Sequence, residues 1–429
     1  SSYRQPQMDR GRAQNLGNCI LRLRLSAPVP IMFTLLKGVR IIDLTTVVLG
    51  PYATQILADM GADVVKVESQ EGDVFRAVRP GRQADTGVAF MNYNRNKRAI
   101  CIDLKSDDGQ SVLHRLVADA DIVVHNMRLR SANQLGADYQ TLSAIKPDLI
   151  YCFSAGYGQE GPDRDAPAYD DIIQARSGLA ALNADANGAP QFVRTIACDK
   201  VVGLHLAIAM TSALAAREKT GEGALIEVPM LETMASFLLS EHLHGHTLVP
   251  PEGNLGYDRL MTRNRKPFAT KDGYLAILPY STKHWIRFFK LCDMPEWAED
   301  ERVTDAALRS ENIDMLYGKI AAVATTRTTD QWITGLAEAD IPCSVVNSLA
   351  ALLDDPHLSA TGMYHTLTDA RLGEVQEVRS PFVINGNLDR DGAPNRMAPG
   401  LGADTDEVLE SSGYSALEIS DLRQRTIVS

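Results

Sequence analysis

The sequence predicts an α/β protein: a Rossmann-like, doubly wound large domain with a smaller α+β domain inserted into it. Three observations carry this. From Leu36 to about Val228, short β-branched runs alternate with helical stretches of about 10–15 residues, the pattern of parallel βαβ units. Between Val249 and Pro267 the texture breaks: Pro250, Pro251, Gly253, Gly256 and Pro267 make a linker or binding loop. Beyond it a hairpin signal and several helices form a different pattern, and strand signals resume at Cys343–Val346 and Val375–Val383.

The elements follow in order. Val39–Thr45 reads as a buried strand, and Gly50-Pro51 opens a helix to about Met60, Pro being suited to a first helical turn. Gly61 ends that helix, and Ala62–Glu68 is the next strand. Ala99–Asp103, Asp121–His125 and Asp148–Ser154 are further strands, with an amphipathic helix at Asp107–Ala118. Asp170–Leu182 is helical, a long helix covers Lys200–Glu218 before Gly221, Ala224–Val228 is a strand and Met230–His246 a helix. Lys271-Asp272-Gly273 marks a hairpin, followed by helices near Thr282–Cys292, Ser310–Ala324 and Thr329–Ala339. Cys343–Val346 is expected to return to the larger domain, and a final helix lies near Asp404–Ser411. The resulting division is 1–31 leader or tag, expected to be unstructured; 32–230 large domain; 231–261 linker; 262–340 small domain; 341–429 return to the large domain.

Composition narrows the function. Of 429 residues 45% are hydrophobic and 23% charged, ample for a core. Fifty-four acids against 43 bases leave a net charge of −11, which repels phosphate backbones and speaks against nucleic acid as a general partner. A local cluster of Arg and Lys can still take a small anion. The six cysteines contain no C-x-x-C pair and read as reduced, buried thiols, hence a cytoplasmic setting. Residues 1–31 hold Arg4, Arg10, Arg12, Arg22 and Arg24 against Asp9. They read as a leader before Met32; if they are instead a native targeting segment, the setting is mitochondrial. The uncharged stretch Val201–Ala216 is short for a membrane span and reads as a core helix.

Several segments could carry chemistry. Gly156–Gly161 fits G-x-G-x-x-G, but Pro162, Asp163, Asp165 and Pro167 follow where a phosphate-binding helix should begin, so no nucleotide redox cofactor is expected. Asp199 stands at the start of the long apolar helix. Its plain reading is an N-cap; its functional reading is a carboxylate kept ionised by the helix N-terminus and able to act as a nucleophile. Cys198 reads as a buried small residue, with His205 too far for a Cys–His pair. His242, His244 and His246 alternate, but in a helical context they spread apart, and no metal is expected. Tyr169 precedes two helix-opening acids, Asp170 and Asp171, and could present its hydroxyl to a reacting carbonyl. Asn94–Arg98 reads either as a solvated turn or as a phosphate clamp.

Taken together, Gly38–Leu44 with Gly50-Pro51, Gly61–Glu68, Asn94–Arg98 running into Asp103 and Lys105, Tyr157-Gly158-Gln159 with Gly161-Pro162, Asp199, Lys219–Gly223, Asp355–Leu358, Leu401-Gly402 and Thr405–Leu409 resemble the class III CoA-transferases. That group includes formyl-CoA transferase and carnitine CoA-transferase, and the similarity runs from about Leu36 to Ile427. It implies a large domain built from both chain ends, a small inserted domain, and two subunits interlocked as a homodimer. It implies that Asp199 carries the acyl group and then CoA, with acyl-CoA and a small carboxylic acid as substrates; from charge and the lack of a spanning segment, neither nucleic acid nor membrane is expected as a partner. By motif position Asn96, Lys105 and Asn126 bind CoA, with Lys97 and Arg98 as phosphate neighbours, and the glycine-rich segment supplies N–H donors to oxyanions. The α-methylacyl-CoA racemases share the fold but place a His where this chain has Tyr169; racemase chemistry and non-catalytic acyl-CoA binding are the alternatives. Val48 stands where formyl-CoA transferase has Gln, Met127 replaces an aromatic, Gln134 replaces an Arg, and Pro251–Arg265 replaces a poly-glycine loop. These departures point away from formyl and oxalyl substrates, and Arg259, Arg263 and Arg265 read either as the site of a second carboxylate, hence a dicarboxylic acid, or as part of a solvated loop.

Overall fold

The computed structural model describes residues 33–386 and 396–429. The reading of 1–31 as a leader lies outside them, as does Met32. A six-stranded sheet forms the centre: β1 (Arg40–Asp43), β2 (Asp63–Glu68), β3 (Lys97–Cys101), β4 (Ile122–His125), β5 (Ile150–Phe153) and β6 (Ala224–Glu227), in the order β3-β2-β1-β4-β5-β6. Every pairing is parallel. Such a sheet needs cover on both faces, and the alternation of side chains along each strand supplies two apolar surfaces. Ile41, Val64, Ile122 and Ile150 face one core, shared with α1 (Leu49–Asp59), α3 (Asp170–Ser177), α4 (Ala197–Thr220) and α5 (Met230–His242). Ile42, Val65, Val123 and Tyr151 face the other, shared with α2 (Asp107–Ala118) and the chain's last helices, α6 (Thr405–Ser411) and α7 (Ala416–Gln424).

A third apolar cluster is drawn from Phe268 to Cys343, with Trp285, Phe288, Phe289 and Trp332 at its centre. Its sheet runs β7 (Phe268–Ala269), β8 (Tyr274–Ile277), β9 (Cys343–Val345), all antiparallel. The expectation for Cys343 is therefore corrected: Leu275 pairs with Val345, so this strand closes the small sheet and does not join the large one. A three-residue run carries no periodicity from which its partner could be read. The strand expected at 375–383 is Gly373–Val378, the second arm of a hairpin with Tyr364–Asp369.

The helix α4 begins earlier than expected, at Ala197, and ends where Gly221 takes a left-handed conformation and donates its N–H to the Arg217 carbonyl (2.7 Å). It is long and apolar enough to cross a membrane, yet its Val202, Leu206 and Met210 lie in the first core. At Gly203 a Cβ would stand 2.7 Å from the Leu49 carbonyl, so glycine there lets α1 and α4 approach closely.

One feature of the interior is ionic. Asp43, Lys66, Asp73 and Lys97 all have side chains shielded from solvent. The Asp43 carboxylate accepts from Lys97 Nζ (3.0 Å), Thr54 Oγ1 (2.7 Å) and the Thr45 N–H (2.9 Å). Lys66 Nζ donates to Asp73 (3.1 Å) and to the Thr45 carbonyl (2.8 Å). Burial alone would raise the Asp43 carboxyl; Lys97, Lys66 and two threonine hydroxyls outweigh it and hold it at about 2. Asp43→Ala leaves the buried Lys97 ammonium without its carboxylate, while Lys66 keeps Asp73, and is expected to cost about 3–5 kcal/mol in urea unfolding. A loss below about 1 kcal/mol would mean that the network is dispensable for stability.

Candidate active site

In an open parallel sheet the strand order reverses at one point, and the crevice there, at the carboxyl ends of the strands, is the natural ligand site. Here the reversal lies between β1 and β4. A cavity of about 400 Å³ opens at it. Thr46, Val47 and Leu49 after β1, Asn126–Arg128 after β4, and Ser154–Gly156 after β5 form its walls, and Tyr169 and Asp199 line it together.

Asp199 is not an N-cap. It is the third residue of α4, and its own N–H is capped by the Asp170 carboxylate of α3 at 3.0 Å. Only 8% of it is exposed. Burial first, and the Asp170 charge second, push its carboxyl up to about 7, against a weaker pull from the Leu49 N–H at the start of α1. Desolvation thus outweighs the pull of the helix starts, and the carboxyl is partly rather than fully ionised near neutral pH. Cys198 beside it is buried, and burial pushes its thiol up to about 12, so it stays protonated.

Tyr169 occupies the N-cap position of α3 with 69% of its surface exposed. Gly156 makes this possible, because a Cβ there would stand 2.4 Å from Ala168 Cβ. The rest of the glycine loop does something other than expected. The Gly158 N–H donates to Glu232 (2.9 Å) and the Gln159 N–H to Glu227 (2.8 Å), so these donors are spent inside the protein.

Asn126 clamps the opposite wall. Its amide oxygen accepts the Thr46 N–H and its amide nitrogen donates to the Thr46 carbonyl, both at 2.9 Å. Val47 then sits at φ 72° with its N–H on Asp73 (3.2 Å). A second cavity of about 450 Å³ shares Thr46 and Met127 with the first and contains Lys105, which is exposed. The structure therefore places Asp199, Tyr169 and Asn126 in one cavity and Lys105 in a neighbouring one that shares the wall residues Thr46 and Met127, the two together termed the groove.

Asn96, Lys97 and Arg98 are not in it. They lie at the start of β3, whereas the groove runs along the carboxyl ends of the strands. The Asn96 side chain bonds Asp59 (2.8 Å) and the Arg396 N–H (2.8 Å). Lys97 is buried on Asp43, and Arg98 pairs with Asp63 (2.6 Å) and Glu407 (3.3 Å). The phosphate-clamp reading of this cluster is corrected: the charges build the fold. Arg263 and Arg265 are exposed, and Arg259 lies in a cavity that shares no residue with the groove. Of the three alternating histidines, His242 ends α5 beside Glu241 (3.7 Å) and His244 faces Asp258 (3.7 Å).

Three features escaped sequence reasoning. Arg128 and Arg164, both exposed and both in the first cavity, were hidden in loops without periodicity. The coupling of Asp170 to Asp199 spans 29 residues, and its only signal was an acid already explained as a dipole partner.

Comparison with known proteins is consistent along the chain. The family model described as CoA-transferase family III matches residues 36–405. The succinate–glutarate CoA-transferase of Agrobacterium fabrum is 30% identical over 383 residues, 87% of this chain and 94% of that one. The human succinyl-CoA:glutarate CoA-transferase is 28% identical over 400 residues, 92% and 90% of the two chains. The crystal structure of Rv3272 from Mycobacterium tuberculosis superposes with a TM-score of 0.75 at 26% identity, covering 89% of this chain and 99% of that one. A CaiB/BaiF family protein from Brucella suis gives 0.72 at 28% identity, covering 88% and 99%.

A buried carboxyl that titrates at about 7 when folded and at 3.8 unfolded binds its proton more tightly in the folded state. Stability then falls as pH rises through that interval. Asp199→Asn removes the penalty. Thermal and urea unfolding should show the variant more stable on the order of 2–4 kcal/mol at pH 8, with the gap closing toward pH 4.

Proposed function

The chain belongs to CoA-transferase family III, and from that premise we propose that it moves CoA from an acyl-CoA thioester to a free carboxylic acid through a covalent aspartyl-CoA on Asp199. The observation that carries this is the position of Asp199: a nearly buried carboxyl lining the switch-point cavity, with Tyr169 in the same wall.

The chemistry is written on this chain's residues. An Asp199 oxygen attacks the donor thioester carbonyl, the C–S bond breaks, and CoA leaves as thiolate. The thiolate attacks the aspartyl carbonyl of the mixed anhydride and expels the donor acid as carboxylate, leaving Asp199 as a CoA thioester. The acceptor carboxylate attacks that carbonyl and releases thiolate. The thiolate then takes the acceptor acyl carbon and returns Asp199 as carboxylate. Thioester energy is conserved only if water stays out, and a nearly buried Asp199 supports that. The two neighbouring cavities support an elongated ligand: the thioester at Asp199, the nucleotide end toward Lys105. Tyr169 would donate to the carbonyl oxygen as charge builds on it.

The acid is proposed to be a dicarboxylate first, since relatives are named for succinate, glutarate and mesaconate. Exposed apolar side chains on α4 and α5 (Leu204, Ile208, Phe237 and Leu239) support a homodimer, and the described cysteines, all unpaired, support a reducing compartment. The small unit around the third apolar cluster is read as a separate domain inserted into the large one.

Incubation with succinyl-CoA and a panel of mono- and dicarboxylates, followed by mass spectrometry, should reveal new thioesters. Asp199→Ala should lose about 10³-fold or more in kcat. A fully active Asp199→Ala variant, or solvent deuterium entering the α-carbon with no acceptor present, would overturn the reading in favour of another reaction. Because the attacking group is the carboxylate, kcat/KM should rise with pH through about 7. Asp170→Asn removes a neighbouring charge and should move that limb to lower pH.

A further inference from the structure

The small unit holds a cavity of about 280 Å³ that shares no residue with the Asp199 groove. Tyr257, Arg259, Tyr280, Trp285, Arg309 and Ser310 line it, and among the described residues no acid does. Arg259 is held by its Nε on the Tyr317 hydroxyl (3.0 Å), and its guanidinium lies 5.0 Å from the centre of the Tyr280 ring. Arg309 is held by Nη1 on Thr282 Oγ1 (2.9 Å) and the Val303 carbonyl (2.7 Å). Both forks are thus anchored by neutral partners. Burial draws the Arg309 group below its ordinary value, countered only by Asp305. Two cations fixed toward one concave space without an acid in its wall are poorly compensated, and a chain of net charge −11 would scarcely gather anions there by its overall field.

We propose that this cavity is a second binding site, taking a small oxyanion between Arg259 and Arg309. Guanidinium forks match the paired oxygens of a carboxylate or a phosphate, and this chemistry is common to a free organic acid and to a phosphate group. The site refines the sequence expectation: the partner of Arg259 is Arg309, 50 positions away, and not Arg263 or Arg265. It does not depend on aspartyl chemistry.

The tryptophans report on it directly, since all 3 (Trp285, Trp297 and Trp332) lie in this unit and none lines the Asp199 groove. The full chain is titrated with glutarate and, separately, with inorganic phosphate while tryptophan emission is followed. A saturable change with either anion is expected: with glutarate alone the site takes carboxylates, with phosphate alone it takes phosphate groups. Arg259→Met and Arg309→Met should each weaken it roughly tenfold or more. Ser310→Glu, at an exposed position that leaves the core alone, should do the same by adding a negative charge to the wall. Asp199→Ala should bind as the parent does, which separates this proposal from the reaction. No saturable change with either anion, or unchanged affinity in Ser310→Glu and in the Arg259/Arg309 double variant, would overturn it.

Discussion

The fold and the site meet at one buried carboxylate. Asp43 ends β1 with a charge that water never reaches, and it persists because Lys97, Lys66 and two threonine hydroxyls surround it. Isolated, such a group would be a large penalty; networked, it fixes geometry. Its neighbours also shape the next four residues. Lys66 takes the Thr45 carbonyl, Asp73 takes the Val47 N–H, and Asn126 holds both polar groups of Thr46. The turn so formed is the wall of the cavity and delivers α1 to Asp199.

Asp199 shows the opposite use of burial. The Asp43 carboxyl has cations beside it and falls; the Asp199 carboxyl has another acid beside it and rises. Two carboxylates of one type, in one domain, are sent to opposite ends of the scale by their surroundings. A carboxyl near 7 is a stronger base and a better nucleophile than one near 4, yet much of it is still ionised at neutral pH. The cost is stability, which is the usual accompaniment of a prepared functional group.

Much of this was legible in the sequence, for reasons that can be named. β1 to β5 were visible because buried parallel strands are short runs of Val and Ile. The long helix around Asp199 was visible because Gly221 ends it. Asp199 itself stood out as an acid opening an apolar helix, although its place in the first turn, with the cap supplied by Asp170, required the tertiary structure. Lys97 and Arg98 misled because a lysine in a basic run looks solvated, and only the tertiary structure shows Lys97 Nζ turned inward onto Asp43 of β1 and the Pro51 carbonyl of α1. Asn126 stands out by motif, while its hold on the Thr46 backbone in the cavity wall needed the tertiary structure. In each case the residue was legible and its partner was not, because the partners lie tens of residues away.

The central claim is that an Asp199 oxygen enters and leaves a covalent bond in every turnover. The most direct measurement is oxygen tracing. The protein is turned over with an acyl-CoA and an acceptor acid whose carboxylate carries ¹⁸O, then digested and analysed by mass spectrometry. If the acceptor attacks the aspartyl carbonyl, the bridging oxygen stays behind, and the peptide containing Asp199 gains ¹⁸O. Turnover that leaves this peptide unlabelled, with ¹⁸O found only in the acid and its thioester, would contradict the account.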